Sequence, residues 1–228
     1  MSNIYIISDV YGCYKSLLAL INQLPEKDKS KIVFVGDLVD RGKNSYEVVE
    51  FVLINKYDCV KGNHEDMFLD YAPIYGEDDE SKYWMNSCGG KETCDSYKNI
   101  EDLKKHYSYF EKLPIYIEYK DYINSDGRYL VVSHSSIGNV WDLRNSDNPT
   151  DKDIFETQLL WSRNKNFDNK DIFNVYGHTI FEEPKITPYS IGIDLGCYNI
   201  GNMQKTTNPR ICALEFPSMK IYTQENIE

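Results

Sequence analysis

Paired cysteines, long apolar runs and an excess of positive charge are all missing from this 228-residue chain. The six cysteines, Cys13, Cys59, Cys88, Cys94, Cys197 and Cys212, form no CxxC pair, so neither a zinc ribbon nor a disulfide scaffold is indicated. Reduced thiols in a cytoplasmic protein are the expectation. No apolar run approaches the ~18 residues of a membrane span, and no basic segment followed by an apolar one opens the chain, so a soluble, non-exported protein is expected. With 36 acidic against 25 basic residues the net charge is −11, which argues against a nucleic-acid backbone or an anionic membrane as the main partner. Repeats, linkers and low-complexity segments are lacking too. The length suits one α/β domain over residues 1–228 rather than two independent ones.

What is present is a series of apolar strands that end in polar loops. Asn3-Ile4-Tyr5-Ile6-Ile7 runs into Ser8-Asp9-Val10-Tyr11-Gly12, and the helical spacing of Leu17, Leu18, Leu20, Ile21 and Leu24 follows, stopped by Pro25. Lys31-Ile32-Val33-Phe34-Val35 runs into Gly36-Asp37-Leu38-Val39-Asp40-Arg41-Gly42, and a helix is expected from about Ser45 to Ile54. Asp58-Cys59-Val60 leads to Lys61-Gly62-Asn63-His64-Glu65. Ligands of open α/β sheets bind at the carboxyl ends of strands, where these loops lie. Residues 67–113 turn helical, polar and aromatic, which reads as a helical insertion or cap over the site, with a solvated acidic turn at Glu77-Asp78-Asp79-Glu80. Strands return at 114–119 and at 128–133, the second ending at His134. A helix is expected near 153–161 and further strands near 172–177, 189–193, 210–216 and 219–223.

Histidine is scarce, four residues, and three of them fall at strand ends. Together with Asp9, Asp37 and Asn63, His134 and His178 make an oxygen and imidazole donor set without thiolate, which suits Mn²⁺, Fe or Zn²⁺. Two divalent metals need a bridging carboxylate, for which Asp37 is the candidate. Such a pair can hold a phosphoryl oxygen and activate water. His64 fits a proton donor oriented by Asp40, and Arg41 and Arg163 fit a bidentate phosphate clamp. Each residue also has an ordinary reading: a Gly-Asp after a strand is commonly a capped turn. Trp84 and Trp161 read as packing residues, and His106 as part of a solvated helix face.

Asp9-Val10-Tyr11-Gly12, Gly36-Asp37-Leu38-Val39-Asp40-Arg41-Gly42 and Gly62-Asn63-His64-Glu65, followed by His134 and Gly177-His178, resemble the signature blocks of the phosphoprotein phosphatase branch of the calcineurin-like metallophosphoesterases. The run Trp84…Gly89-Gly90…Thr93 and Trp161-Ser162-Arg163 look most like the bacterial and phage-lambda type of Ser/Thr protein phosphatase. The resemblance implies an α/β (α+β) β-sandwich of two mixed sheets flanked by helices. It implies two divalent metals, most often Mn²⁺: Asp9 and Asp37 on one, and Asp37, Asn63, His134 and His178 on the other. His64 and Asp40 would be the proton-donating dyad, with Arg41, Arg163 and Lys61 on phosphate. Lys61 stands where the family often has Arg, and keeps the charge without the fork.

The larger departure is Tyr11, which stands at the family's His ligand. A phenol with an unperturbed pKa near 10 binds divalent metals poorly unless ionised. Three roles are open to it: a substitution that weakens or empties the first metal site, a phenolate ligand that retunes the metal, or a side chain that turns away and leaves water in its place. The expected activity is hydrolysis of phosphoserine, phosphothreonine and small phosphate monoesters by direct attack of water activated at the metals. A dinucleoside polyphosphate (diadenosine tetraphosphate) hydrolase is the alternative, although the symmetrical enzymes of that kind tend to be longer. A catalytically impaired phosphate-binding protein is a third reading, which rests on Tyr11 alone.

Overall fold

The computed structural model describes residues 3–72, 79–163, 169–198 and 206–228, with the Glu80 side chain also left out. Among the described residues, ten strands form two five-stranded mixed sheets. The first contains β1 (Ile4–Ile7), β2 (Lys31–Phe34), β3 (Asp58–Cys59), β9 (Arg210–Phe216) and β10 (Lys220–Glu225), in the order β10-β9-β1-β2-β3. Strands β1, β2 and β3 are parallel, while β9 runs antiparallel to β1. The second contains β4 (Tyr116–Ile123), β5 (Tyr129–Ser133), β6 (Ile172–Tyr176), β7 (Lys185–Ile186) and β8 (Ser190–Gly192), in the order β4-β5-β6-β8-β7. The two-residue β7 has no counterpart among the strands expected from sequence.

Side chains alternate across a strand, and here both faces are covered. Ile4, Ile6, Val33, Val35 and Leu214 meet Leu130, Val132, Val175 and Ile191 between the sheets. Tyr5, Ile7, Phe34 and Ala213 face the other way, onto helices α1 (Tyr14–Gln23), α2 (Ser45–Ile54) and α3 (Asn63–Tyr71). On the far side of the second sheet, Val131 and Ile172 pack against Trp141 and against Phe155 and Leu159 of helix α7 (Pro149–Trp161). Helix α7 starts earlier than its apolar spacing suggests. Pro149 occupies its first turn, where a missing N–H costs nothing, and Asn148 Oδ1 accepts the Thr150 N–H at 2.9 Å.

Between α3 and β4 lie α4 (Asp79–Tyr83), a π-helical turn at Trp84–Cys88, α5 (Gly90–Ser96) and α6 (Ile100–Phe110). Most of the expected acidic turn at 77–80 lies outside the described residues. The described part of this segment braces the loop after β2. The Arg41 N–H donates to Gly89 O at 3.1 Å, and the Asp40 N–H donates to Thr93 Oγ1 at 2.8 Å.

His106 is a correction to the sequence reading. It is fully buried on α6, not solvated, in line with Leu103 and Phe110. Its Nε2 lies 2.7 Å from Glu50 Oε1 and its Nδ1 2.7 Å from the Tyr97 hydroxyl, while Tyr46 stacks on the ring. Trp161 is the opposite correction. Expected to pack, it is 44 % exposed.

Candidate active site

Three parallel strands deliver the three loops to one end of the first sheet, and the loops pack backbone to backbone. Gly36 has φ +90°, and a Cβ there would lie 2.5 Å from Gly62 N, so neither loop tolerates a side chain at the crossing. Glu65 ties them together. Its buried carboxylate accepts the N–H groups of Gly62 (2.8 Å), Asp37 (2.8 Å) and Leu38 (2.7 Å). Burial beside Asp37 pushes this carboxyl up to about 7, against the pull of those three donors. Its role was not read from the sequence, although a glutamate three residues after Gly62, at a helix start, is the pattern of a capping residue.

Asp37, Asn63, His134 and His178 converge. Among the described residues, Asp37, His134 and His178 offer ligand atoms that all lie within 4.8 Å of one another. Asn63 Oδ1 is 2.9 Å from His134 Nε2 and 2.7 Å from His178 Nδ1, and the two ring nitrogens are 3.1 Å apart. Each imidazole has a carbonyl at its other nitrogen: Val35 O at 2.8 Å from His134 Nδ1, and Trp161 O at 3.2 Å from His178 Nε2. A carbonyl can only accept, so those nitrogens carry the protons and the inward ones present lone pairs. Burial lowers both imidazoles, His178 to about 3, which keeps them neutral. Lone pairs from two nitrogens and two oxygens therefore face one another with no proton between them. That arrangement fits a divalent cation.

Burial alone would raise Asp37, yet His134, His64, His178 and the Tyr11 hydroxyl hold it well below the ordinary carboxylate range. Asp9, also fully buried, goes up, from burial first and then from Asp194 and Asp37. Asp194 was not singled out in the sequence. Burial pushes it up to about 6, and its Oδ2 has no hydrogen-bond partner among the described residues. A carboxylate after a short strand, in a segment without further polar pattern, gave no signal.

Tyr11 points into the site. Its hydroxyl donates to Asp37 Oδ2 at 2.7 Å and lies 3.3 Å from Asp9 Oδ2, so the role in which it turns away and leaves water behind is not the one adopted. The Arg41 guanidinium lies 4.5 Å from the Tyr11 ring centre and 4.0 Å from that of Tyr198, another residue that sequence reading passed over.

His64 Nδ1 is 2.6 Å from Asp40 Oδ2, and its Nε2 is 2.9 Å from Arg41 Nη2. Asp40 receives two further bonds, from Trp84 Nε1 at 2.9 Å and Thr93 Oγ1 at 2.7 Å. Trp84 is thus buried packing, as expected, and a donor as well. Arg163 is exposed and donates to His178 O at 2.9 Å. Lys61, expected on phosphate, is engaged by a neighbouring carboxylate in this structure. Its Nζ is paired with Asp66 Oδ1 at 2.9 Å.

The family model for calcineurin-like phosphoesterases matches residues 2–212. The chain belongs to that family. Calcineurin-like phosphoesterases use a dinuclear divalent metal centre, and hydrolases are found among the relatives of this chain. Serine/threonine-protein phosphatase 2 of Escherichia coli (strain K12) is 26% identical over 217 residues, 88% of this chain and 90% of that protein. The asymmetrical bis(5'-nucleosyl)-tetraphosphatase PrpE of Halalkalibacterium halodurans is 26% identical over 249 residues, 96% of each chain. Length therefore does not separate this family member from dinucleoside polyphosphate hydrolases. A crystal structure of a candidate diadenosine tetraphosphatase superposes with a TM-score of 0.68 at 20% identity, covering 100% of this chain and 95% of that one. A Saccharomyces cerevisiae protein serine/threonine phosphatase superposes with a TM-score of 0.61 at 18% identity, covering 100% and 81%. At such identities the superpositions establish the fold, a two-sheet sandwich flanked by helices.

Proposed function

We propose that this phosphoesterase hydrolyses phosphate monoesters of serine and threonine and small alkyl phosphates. The His64–Asp40 pair beside the four-donor cluster carries the reading. An alkoxide leaving from phosphoserine needs a proton as the P–O bond breaks, whereas a nucleotide leaving from a dinucleoside tetraphosphate departs as a stable anion at neutral pH. A positioned acid is therefore worth most on an alkyl ester.

Asp37, Asn63, His134 and His178 would hold a divalent cation, with Mn²⁺ favoured by the mixed oxygen and nitrogen donors and Fe or Zn²⁺ also compatible. The chemistry such a cation supplies is Lewis acidity toward a phosphoryl oxygen and toward the attacking water. Arg41, beside His64, and Arg163, at the His178 carbonyl, would neutralise the equatorial phosphoryl oxygens. His64 Nε2 would give its proton to the leaving oxygen, with Asp40 Oδ2 holding the ring and stabilising its charged form. Among the described residues no disulfide joins the six cysteines, and no helix is long and apolar enough to cross a membrane.

The second reading is hydrolysis of diadenosine tetraphosphate, favoured by the match to the PrpE relative over 96% of both chains. Parallel kcat/KM measurements on a phosphoserine peptide and on diadenosine tetraphosphate, with Mn²⁺ present, separate the two. The proposal expects the peptide to be the better substrate. A preference for the dinucleotide assigns the site to the second reading.

A further inference from the structure

The two halves of the carboxylate of Asp37 face different surroundings. On one side, Oδ1 accepts the His64 backbone N–H at 3.0 Å and faces Asn63 Oδ1, His134 Nε2 and His178 Nδ1, whose lone pairs meet with no proton among them. On the other, Oδ2 faces a side-chain donor, the Tyr11 hydroxyl, which donates to it at 2.7 Å. The same hydroxyl oxygen lies 3.3 Å from Asp9 Oδ2, so it occupies the gap between the two carboxylates that would have to share a second cation.

We propose that the Tyr11 hydroxyl takes the place of the first cation, so that this chain holds one divalent ion tightly, on Asp37, Asn63, His134 and His178, and not a pair. A divalent transition-metal ion sits about 2.0–2.2 Å from its oxygen ligands. An ion bound to both Asp9 Oδ2 and Asp37 Oδ2 would therefore press on the phenolic oxygen and meet its proton head-on. The phenol would have to ionise or leave.

Leaving is blocked on several sides. Tyr11 is 2 % exposed, and its ring is flanked edge-on by His64 at 5.2 Å and by Tyr198 at 4.4 Å between centres, with the Arg41 guanidinium over its face. Its backbone is pinned as well. The Tyr11 N–H donates to Asp37 O and Tyr11 O accepts from the Gly42 N–H, both at 2.9 Å, in a left-handed conformation with φ +49° that admits few alternatives. The hydroxyl thus substitutes a hydrogen bond for a metal bridge and keeps Asp37 aimed at the remaining cation. Asp9 becomes a structural acceptor: its two oxygens lie 3.2 and 3.0 Å from the His178 N–H, which places the loop that carries a ligand of the other site.

This inference concerns the cofactor of the proposed hydrolase, and its test is read without turnover. Purified protein stripped with chelator, reloaded with Mn²⁺ and desalted is analysed for metal content and by electron paramagnetic resonance, alongside Tyr11→His and Tyr11→Phe. The wild type should carry one Mn²⁺ per chain with the signal of an isolated ion. Tyr11→His should carry two with an exchange-coupled signal. Tyr11→Phe keeps the ring in its box and removes only the hydroxyl, and should bind a second Mn²⁺ at least ~tenfold more tightly than the wild type. Two coupled ions in the wild type, a visible tyrosinate-to-iron absorption after iron loading, or a single ion in both variants with native circular dichroism would each overturn the inference. Absence of phosphatase activity with one Mn²⁺ bound would instead count against the proposed function and leave the stoichiometry standing.

Discussion

His64 Nε2 accepts a hydrogen bond from Arg41 Nη2 at 2.9 Å, since a guanidinium can only donate. The imidazole proton therefore sits on Nδ1, toward Asp40. For His64 to act as an acid, Arg41 must swing from Nε2 to the substrate phosphate, and Nε2 must then take up a proton. On the proposed function, this resting contact would couple phosphate binding to the freeing of His64 Nε2.

That coupling depends on how Arg41 is held. The Tyr198 ring, 4.0 Å from the guanidinium, supplies a cation–π contact of order 0.5–2 kcal/mol. Tyr198→Ala should raise the inhibition constant for inorganic phosphate by ~2- to 30-fold, whereas Tyr198→Phe, which keeps the ring face, should leave it nearly unchanged. Equal effects of the two substitutions would mean that the hydroxyl and not the ring positions Arg41.

The Asp40 carboxylate is fully buried and meets three partners, Thr93, Trp84 and His64. Removing one donor from a buried, charged acceptor costs ~1.5–3 kcal/mol. Thr93→Val should lower stability in urea by that amount and reduce kcat less than loss of His64 itself. An unchanged unfolding midpoint would show that Ser45 or water replaces the bond.

Away from the site, burial holds His106 below its ordinary value of 6.5. A base whose folded pKa is depressed contributes stability above the unfolded value, and that contribution is lost as pH falls through the folded one. Between pH 7.5 and pH 5.5 the wild-type melting temperature should therefore drop more than that of His106→Gln. His134 and His178 are depressed in the same direction, so the variant should retain part of the slope. Parallel pH profiles would place the titrating group elsewhere.

The strand-end loops were legible because strand and chemistry adjoin in sequence: apolar β1 and β2 lead directly into Asp9 and Asp37, and Asn63 follows β3 within a few residues. Their two-sheet setting came from the resemblance and not from periodicity. Thr93, Asp194 and Tyr198 were not legible, since each meets the site from a distant segment and is of a type common anywhere. Thr93 lies 53 positions from the Asp40 it bonds. His106 was misread although its spacing from Leu103 and Phe110, three and four residues, puts it on the buried face of α6. Tyr11 was legible as an anomaly, but only the fold shows its hydroxyl between two carboxylates.

The most direct test of the account compares leaving groups in wild type and His64→Ala, with Mn²⁺ present. On a phosphoserine peptide, whose alkoxide needs a proton, the substitution should lower kcat/KM by ~10²–10⁴-fold. On p-nitrophenyl phosphate, whose leaving group does not need one, the loss should be below ~10-fold. Equal losses on both substrates, or a wild type that releases phosphate from neither, would contradict it.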